Sequence, residues 1–463
     1  MLKVSTMSTV ASTLEKQPFP PGPPPIGKNP IAQIALSLKF IRDPLGFLEQ
    51  WHNQYGDFFH LQMADDHQYF VAHPDDIHEV VTKQARSFHK PPEYKDEKRG
   101  LARFMGNGLV VSDGEFWKRQ RKLAQPAFHT MRISAYAETM VEFTLRMLDE
   151  WQSMDQVDVS HQMMRLTRQI VAKTLFDADV SANSDRIDEV LTIFLHMGTG
   201  NEVDLLPLWI PTPNHLRQQR AVRDMEAIIY GIINERRSSG EDRGDLLSML
   251  LAAQDDDGVG MTDKQLYDEV VTLFFAGHET TANALNWTWY LLAQNPEIER
   301  KLHDEVDSVL KGRPPILDDL KNLPYTDLVI KESMRLRPPV WSIGRQAIED
   351  VEIGGYPISS GSSFQIIIWL LHRNKHWWGD DALDFRPDRF ETEDYPRYAY
   401  IPFGGGPRVC IGNSFAMMEA RLLLAAIAQR AQLRLSPGQK VTPQPLTTLR
   451  PKGGLPMRLE QRS

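Results

Sequence analysis

The longest uninterrupted pattern in the chain is "DKQLYDEVVTLFFAGHETTANALNWTWYLLAQ", residues 263–294. Thr262 followed three residues later by Gln265 is a capping box, and no proline interrupts the run before Asn295. The spacing predicts a helix about 50 Å long at 1.5 Å per residue. Its second half is apolar on nearly every side, which places it through the middle of the fold. Asn295-Pro296 then reads as N-cap and first-turn proline of a further helix, "EIERKLHDEVDSVL". Most of 77–340 carries helical spacing, and a last long helix is expected at 413–430. Strand patterns are short: "FFHLQMADDHQYFVAHPDD" (58–76), "VEIGG" and "FQIII". "PFPPGPPPIG" (18–27) reads as a stiff extended segment, because proline fixes φ and removes donors. The pattern predicts a mainly α fold with small β-sheets (α+β), a single domain over 18–463 behind a disordered tail at 1–17.

Charge and composition narrow the classes. A net charge of −9 argues against nucleic acid as a partner, since phosphate binding wants a basic surface. The longest apolar stretches, "FQIIIWLL" and "LLLAAIA", fall short of the ~18–20 residues that span a bilayer. The first residues show neither a signal-peptide apolar region nor the arginines of a transit peptide. A soluble, cytoplasmic monomer is expected. Cys410 is the only cysteine, which excludes disulfide scaffolds and multi-cysteine zinc sites.

Four segments break local rules or place reactive groups together. In "FFAGHETTAN", glycine costs about 1 kcal/mol within a helix, and a buried glutamate must be hydrated or paired. Such violations mark functional sites; the plainer alternative is a packing glycine beside a satisfied threonine. Ala282 occupies the place of the second histidine of a zinc-protease motif, so that chemistry is excluded. In "KESMRLRPP", Glu332 and Arg335 share one helix face, although a weak surface salt bridge gives the same pattern. In "GEFWKRQRKLAQPAFH", Trp117 and Arg121 at i and i+4 can grip an anion, or can belong to an ordinary amphipathic surface helix. In "PFGGGPRVCIGNSF", Cys410 precedes a helix, where the dipole and nearby Arg408 favour a thiolate. A nucleophilic cysteine would want a base and an orienting partner, and no signature supplies them. A lone thiolate facing a large cofactor is the arrangement of haem ligation.

Taken in order, these segments resemble the cytochrome P450 family of haem-thiolate monooxygenases. Phe403, Gly406, Arg408, Cys410 and Gly412 fill the family's Phe-x-x-Gly-x-Arg-x-Cys-x-Gly loop. "AGHETT" at 276–281 is similar to its oxygen-activating helix, Glu332 and Arg335 to its Glu-x-x-Arg pair, and "PDRF" at 387–390 to the loop whose Arg389 joins that pair. Trp117 and Arg121 resemble its haem-propionate helix. The resemblance implies haem b with Cys410 as proximal ligand. It implies propionates held by Trp117, Arg121, Arg345 and Arg408, with Lys90 a weaker candidate, and Phe403 and Gly412 packed about the sulfur. Ala276 and Gly277 would leave room for O2, and Glu279 with Thr280 would relay protons. Glu332, Arg335 and Arg389 would form a buried structural network. Substrate would meet Leu109, Val110, Val340, Ile343 and Thr448, with the 190–215 region as a further wall.

The implied reaction is hydroxylation of a lipophilic substrate such as a fatty acid, terpenoid or carotenoid. Its electrons would come from NAD(P)H through a reductase and a separate ferredoxin or flavodoxin, docking on Lys118, Arg119 and Lys122. A solvated helix face is the alternative for those three. A peroxide-driven peroxygenase, an isomerase of the same fold and a haem-based gas sensor stay open as rivals, but none needs the Glu279–Thr280 pair. A helical binding protein without haem leaves Cys410 and its glycines unexplained.

Overall fold

The capping box forms: Gln265 N donates to Thr262 Oγ1 at 3.2 Å and Thr262 N to Gln265 Oε1 at 2.9 Å. The central helix runs Asp263–Gln294 in the computed structural model of the protein, which describes residues 19–98, 100–179, 184–196, 210–392 and 394–462. The tail expected at 1–17 and the middle of the 190–215 wall (197–209) lie outside the described residues. The second half of the helix is buried all round, so its polar groups must find partners inside. Thr288 donates to Ala284 O at 2.7 Å, and the Trp287 indole N–H to Leu449 O at 2.8 Å. His278 Nδ1 lies 2.6 Å from Phe274 O, and burial pushes this imidazole down to about 4, which keeps it neutral.

The helix Val159–Phe176 packs along the central helix. A Cβ on Gly277 would meet Val171 Cγ2 at 3.2 Å, so this glycine serves the close approach of the two helices. Pro296–Leu310 forms the following helix, but Asn295 does not cap it with its side chain. Its amide instead donates to Leu291 O at 2.8 Å, closing the preceding helix. The final helix is Asn413–Arg430, and it is apolar on all sides through Leu422–Ala428.

The main sheet has the strand order 58–63, 66–71, 363–366, 343–347, 88–89. The first two strands pair antiparallel as a hairpin, and 66–71 pairs parallel with 363–366. The strand pattern read as far as 76 stops at Val71. Pro74 then starts a short helix, Pro74–His78, with His73 Nδ1 accepting from Asp75 N at 3.2 Å. The proline-rich segment lies along the sheet edge, where prolines can still accept: His60 N donates to Pro21 O at 3.0 Å. Strand Ile343–Ala347 alternates, so Ile343 and Arg345 point the same way. One apolar core runs from Leu45 to Leu459, with a small satellite around Trp378 and Phe390.

The fold also brings Glu332, Arg335 and Arg389 together. Arg335 is fully buried and donates to both oxygens of Glu332, at 2.7 and 2.8 Å. Its other donors reach His372 O and Ala382 O, both at 2.7 Å. Arg389 Nε reaches Glu332 Oε1 at 3.3 Å, and Arg386 N donates to the same oxygen at 2.9 Å. Every strong donor in this cluster is used, which is the condition for a buried ion pair to hold. Replacing Arg335 by Met strands the Glu332 carboxylate in the core. The expected loss is about 3–5 kcal/mol of unfolding free energy, read from denaturant melts.

Candidate functional site

Several chain segments meet around a cavity of about 320 Å³. The central helix contributes Ala276, Gly277 and Thr280; the 403–412 loop contributes Phe403, Arg408, Cys410 and Gly412. Trp117 and Arg121 enter from the helix Gly114–Ala124, and Lys90 and Arg345 from the sheet side. Leu109, Val110, Val340 and Ile343 line it as well. Thr448 does not; its hydroxyl donates to Glu279 Oε1 at 2.6 Å.

The cysteine loop is shaped by its glycines. Gly406 has φ +64°, and a Cβ there would overlap the Val81 carbonyl, so the chain passes where only glycine fits. Cys410 N donates to Phe403 O at 2.9 Å, which folds the loop back on itself. The sulfur is accessible by area, but it opens onto the cavity and is crowded on its other sides. Burial therefore raises the thiol pKa, opposed by the Gly412 N–H and the Arg121 charge. The expectation that Arg408 stabilises a thiolate does not hold. Arg408 is ion-paired with Asp113 and stacked on the Trp117 ring at 4.3 Å.

The charge around the cavity is unbalanced. Arg345 is 6% exposed and its Nη1 donates to Gly344 O; no carboxylate reaches it among the described residues. Lys90 lies over the Tyr94 ring, likewise without an acidic partner on its ammonium group. Burial, then the neighbouring Arg345 and Arg408, push the Lys90 amine far down; burial and Arg408 bring Arg345 to about 10. The only acid among them, Asp113, is shared by Arg408, by Lys95 at 2.8 Å and by the Lys90 backbone N–H at 2.8 Å. Uncompensated buried cations cost stability unless an anion joins them. A flat dianionic macrocycle with its carboxylates at Lys90 and Arg345 and its metal over Cys410 fits this arrangement of charge and sulfur. Arg121 is held by Gln125 and by Val409 O, both at 2.9 Å, at the same edge.

Glu279 and Thr280 do not face each other. Thr280 Oγ1 lines the cavity and donates to Ala276 O at 2.9 Å. Glu279 is buried and forms a two-point ion pair with Arg450, with further donors from Thr448 and Asn283. Burial alone would raise this carboxyl, but Arg450 and the other donors hold it below the ordinary range. Lys118 pairs with Glu115, Arg119 with Asp255 and Lys122 with Asp256, so the basic face read from "WKRQRK" is largely neutralised in place.

Three participants escaped the sequence reading. Asp113 looks like a helix N-cap, but its carboxylate turns to Arg408 and the Lys90 backbone N–H. Arg450 carries no local sign of its partner 171 residues away. Glu419, fully buried beside Thr281, has a carboxyl that burial pushes well up, and its visible signal was a lone acid in "FAMMEARLLLAAIA". Arg345→Leu should speed haem release to an excess globin acceptor about 10- to 100-fold, the worth of a hydrogen bond to a charged group, followed by the Soret band.

A family model, "Cytochrome P450", matches residues 20–457. Cyclooctatin synthase of Streptomyces melanosporofaciens is 38% identical over 436 residues, covering 91% of this chain and 92% of its own. Cyclooctat-9-en-7-ol 5-monooxygenase of the same organism is 35% identical, covering 92% and 93%. Pentalenene oxygenase of Streptomyces avermitilis is 32% identical, covering 93% and 96%.

Proposed function

The chain belongs to the cytochrome P450 family of haem-dependent monooxygenases, and on that premise we propose that it hydroxylates a cyclic terpenoid. The observation that carries the reading is Cys410 opening onto an apolar-walled cavity flanked by the buried Arg345 and the half-buried Lys90, neither with an acidic partner among the described residues. Those cations would hold the propionates of haem b. Bound haem would supply the iron at which O2 is activated, one atom entering a substrate C–H bond and the other leaving as water with two electrons and two protons.

The substrate class rests on two supports. The relatives' names describe an oxygenase for an alkene and a monooxygenase acting at carbon 5 of an alkene alcohol. Leu109, Val110, Val340 and Ile343 give the cavity the apolar wall that such a skeleton requires. Electrons would come from NAD(P)H through a reductase and a ferredoxin or flavodoxin. We place its docking on the face of Lys118, Arg119 and Lys122, where an acidic donor would have to displace Asp255 and Asp256.

Thr280 would hold a hydroxyl at the cavity wall for proton delivery, and Glu279 would resupply it after leaving Arg450. The clamped Glu279 is also the observation that favours a peroxide-driven rival, which needs no relay. Thr280→Ala should therefore raise peroxide formed per NAD(P)H and lower product by about a hundredfold, the low end of the range of general acid catalysis. Unchanged coupling removes Thr280 from the relay.

The primary test is the CO difference spectrum of the reduced protein, with and without Cys410→Ser. A strongly red-shifted Soret band that the substitution abolishes is expected, followed by a spin-state shift on titration with cyclic terpenoids. A shift with fatty acids and none with terpenoids would overturn the substrate class.

A further inference from the structure

The first half of the central helix carries two acids, Asp268 and Glu269, that the reaction does not use. Both are buried, at 5% and 1% exposure, and both turn to the 105–112 segment. Asn107 N donates to Asp268 Oδ2 at 3.0 Å, and Leu109 N donates to Glu269 Oε2 at 3.1 Å. One turn further on, Thr272 Oγ1 donates to Met105 O at 3.3 Å. Three consecutive attachments thus fasten one short segment to one helix. The segment lies so close that a Cβ on Gly106 would overlap the Asp268 carboxylate, and one on Gly108 would overlap Thr272 Oγ1. Leu109 and Val110, the side chains carried by this segment, line the cavity, as does Thr272.

We propose that Asp268 and Glu269 are positioning residues that hold the 105–112 segment against the central helix and thereby set the cavity wall formed by Leu109 and Val110. The physical basis is that a buried backbone N–H must be paired. Leu109 is buried with no strand or helix to pair with, and the Glu269 carboxyl is its acceptor; Asn107, at the exposed side of the segment, donates to Asp268. Asp268 is further fixed by Lys264 Nζ at 2.5 Å. Glu269 Oε1 has no partner among the described residues. Burial, opposed by the Leu109 N–H, pushes the Glu269 carboxyl up to about 8, so near neutrality it keeps a proton and accepts through Oε2. Glutamine reproduces that neutral acceptor; alanine removes it.

The proposal rests on the reading of this cavity as the substrate site, so the test has two readouts. The first is hydrogen exchange of the haem-loaded protein. Glu269→Ala should speed exchange of the 105–112 amides about tenfold, the cost of an unpaired buried donor, with the 413–430 helix unchanged. Glu269→Gln and wild type should exchange alike, and Asp268→Ala supplies a second variant if the Glu269→Ala protein does not fold. The second readout is the spectral affinity for 4-phenylimidazole against that for imidazole. In Glu269→Ala the bulky azole should weaken about fivefold or more while imidazole is unaffected, because only the larger ligand reaches the wall. Unchanged exchange in both the Glu269→Ala and Asp268→Ala variants overturns the attachment. Faster exchange with unaltered 4-phenylimidazole binding overturns the role in shaping the cavity. If wild type binds neither azole, the site reading fails, whereas the exchange result still decides the attachment.

Discussion

The fold is organised by a helix whose second half has no solvent-facing side. Its buried polar groups draw on neighbouring segments for partners. Val171 approaches at Gly277, Thr448 and Arg450 meet Glu279, and the Leu449 carbonyl receives the Trp287 indole. The 105–112 segment closes on Asp268 and Glu269. Ala276, Gly277 and Thr280 are left facing the cavity. The cavity is what remains where the helix has no protein partner.

Two clusters of buried charge behave oppositely. Around Glu332 the carboxylate receives two arginines and a backbone N–H, and the guanidinium of Arg335 spends its remaining donors on carbonyls. That cluster is complete within the protein and needs no ligand. Around Lys90, Arg345 and Arg408 a single carboxylate, Asp113, serves three chain segments, and burial disfavours every cation. Such a cluster is stable only when more negative charge arrives. The same physics that makes one group of arginines self-sufficient leaves the other short of negative charge.

Much of the site was legible because its signals are local. The capping box at Thr262 and Gln265, the glycines about Cys410 and the three-residue spacing of Glu332 and Arg335 all report interactions within one element. The misreadings share one cause. Asn295 stands at the N-cap of the helix after it, as read, but its side chain closes the one before. Arg408 was assigned to the thiolate and pairs with Asp113. Lys118, Arg119 and Lys122 were read as a free basic face, yet each has an acid beside it. In every case the residue type was right for a charged or capping role, and the partner was decided by distance in space.

By itself the sequence determined the helical architecture, the depth of the central helix and the identity of the single sulfur. These follow from periodicity, capping and the absence of any other cysteine, all properties of neighbouring residues. Only the tertiary structure decided that Glu279 is clamped by Arg450, that Thr448 turns to that clamp rather than to the cavity, and that Lys90 and Arg345 have no acidic partner among the described residues. Ion pairing falls steeply with separation and with solvent, and both are set by how distant segments pack.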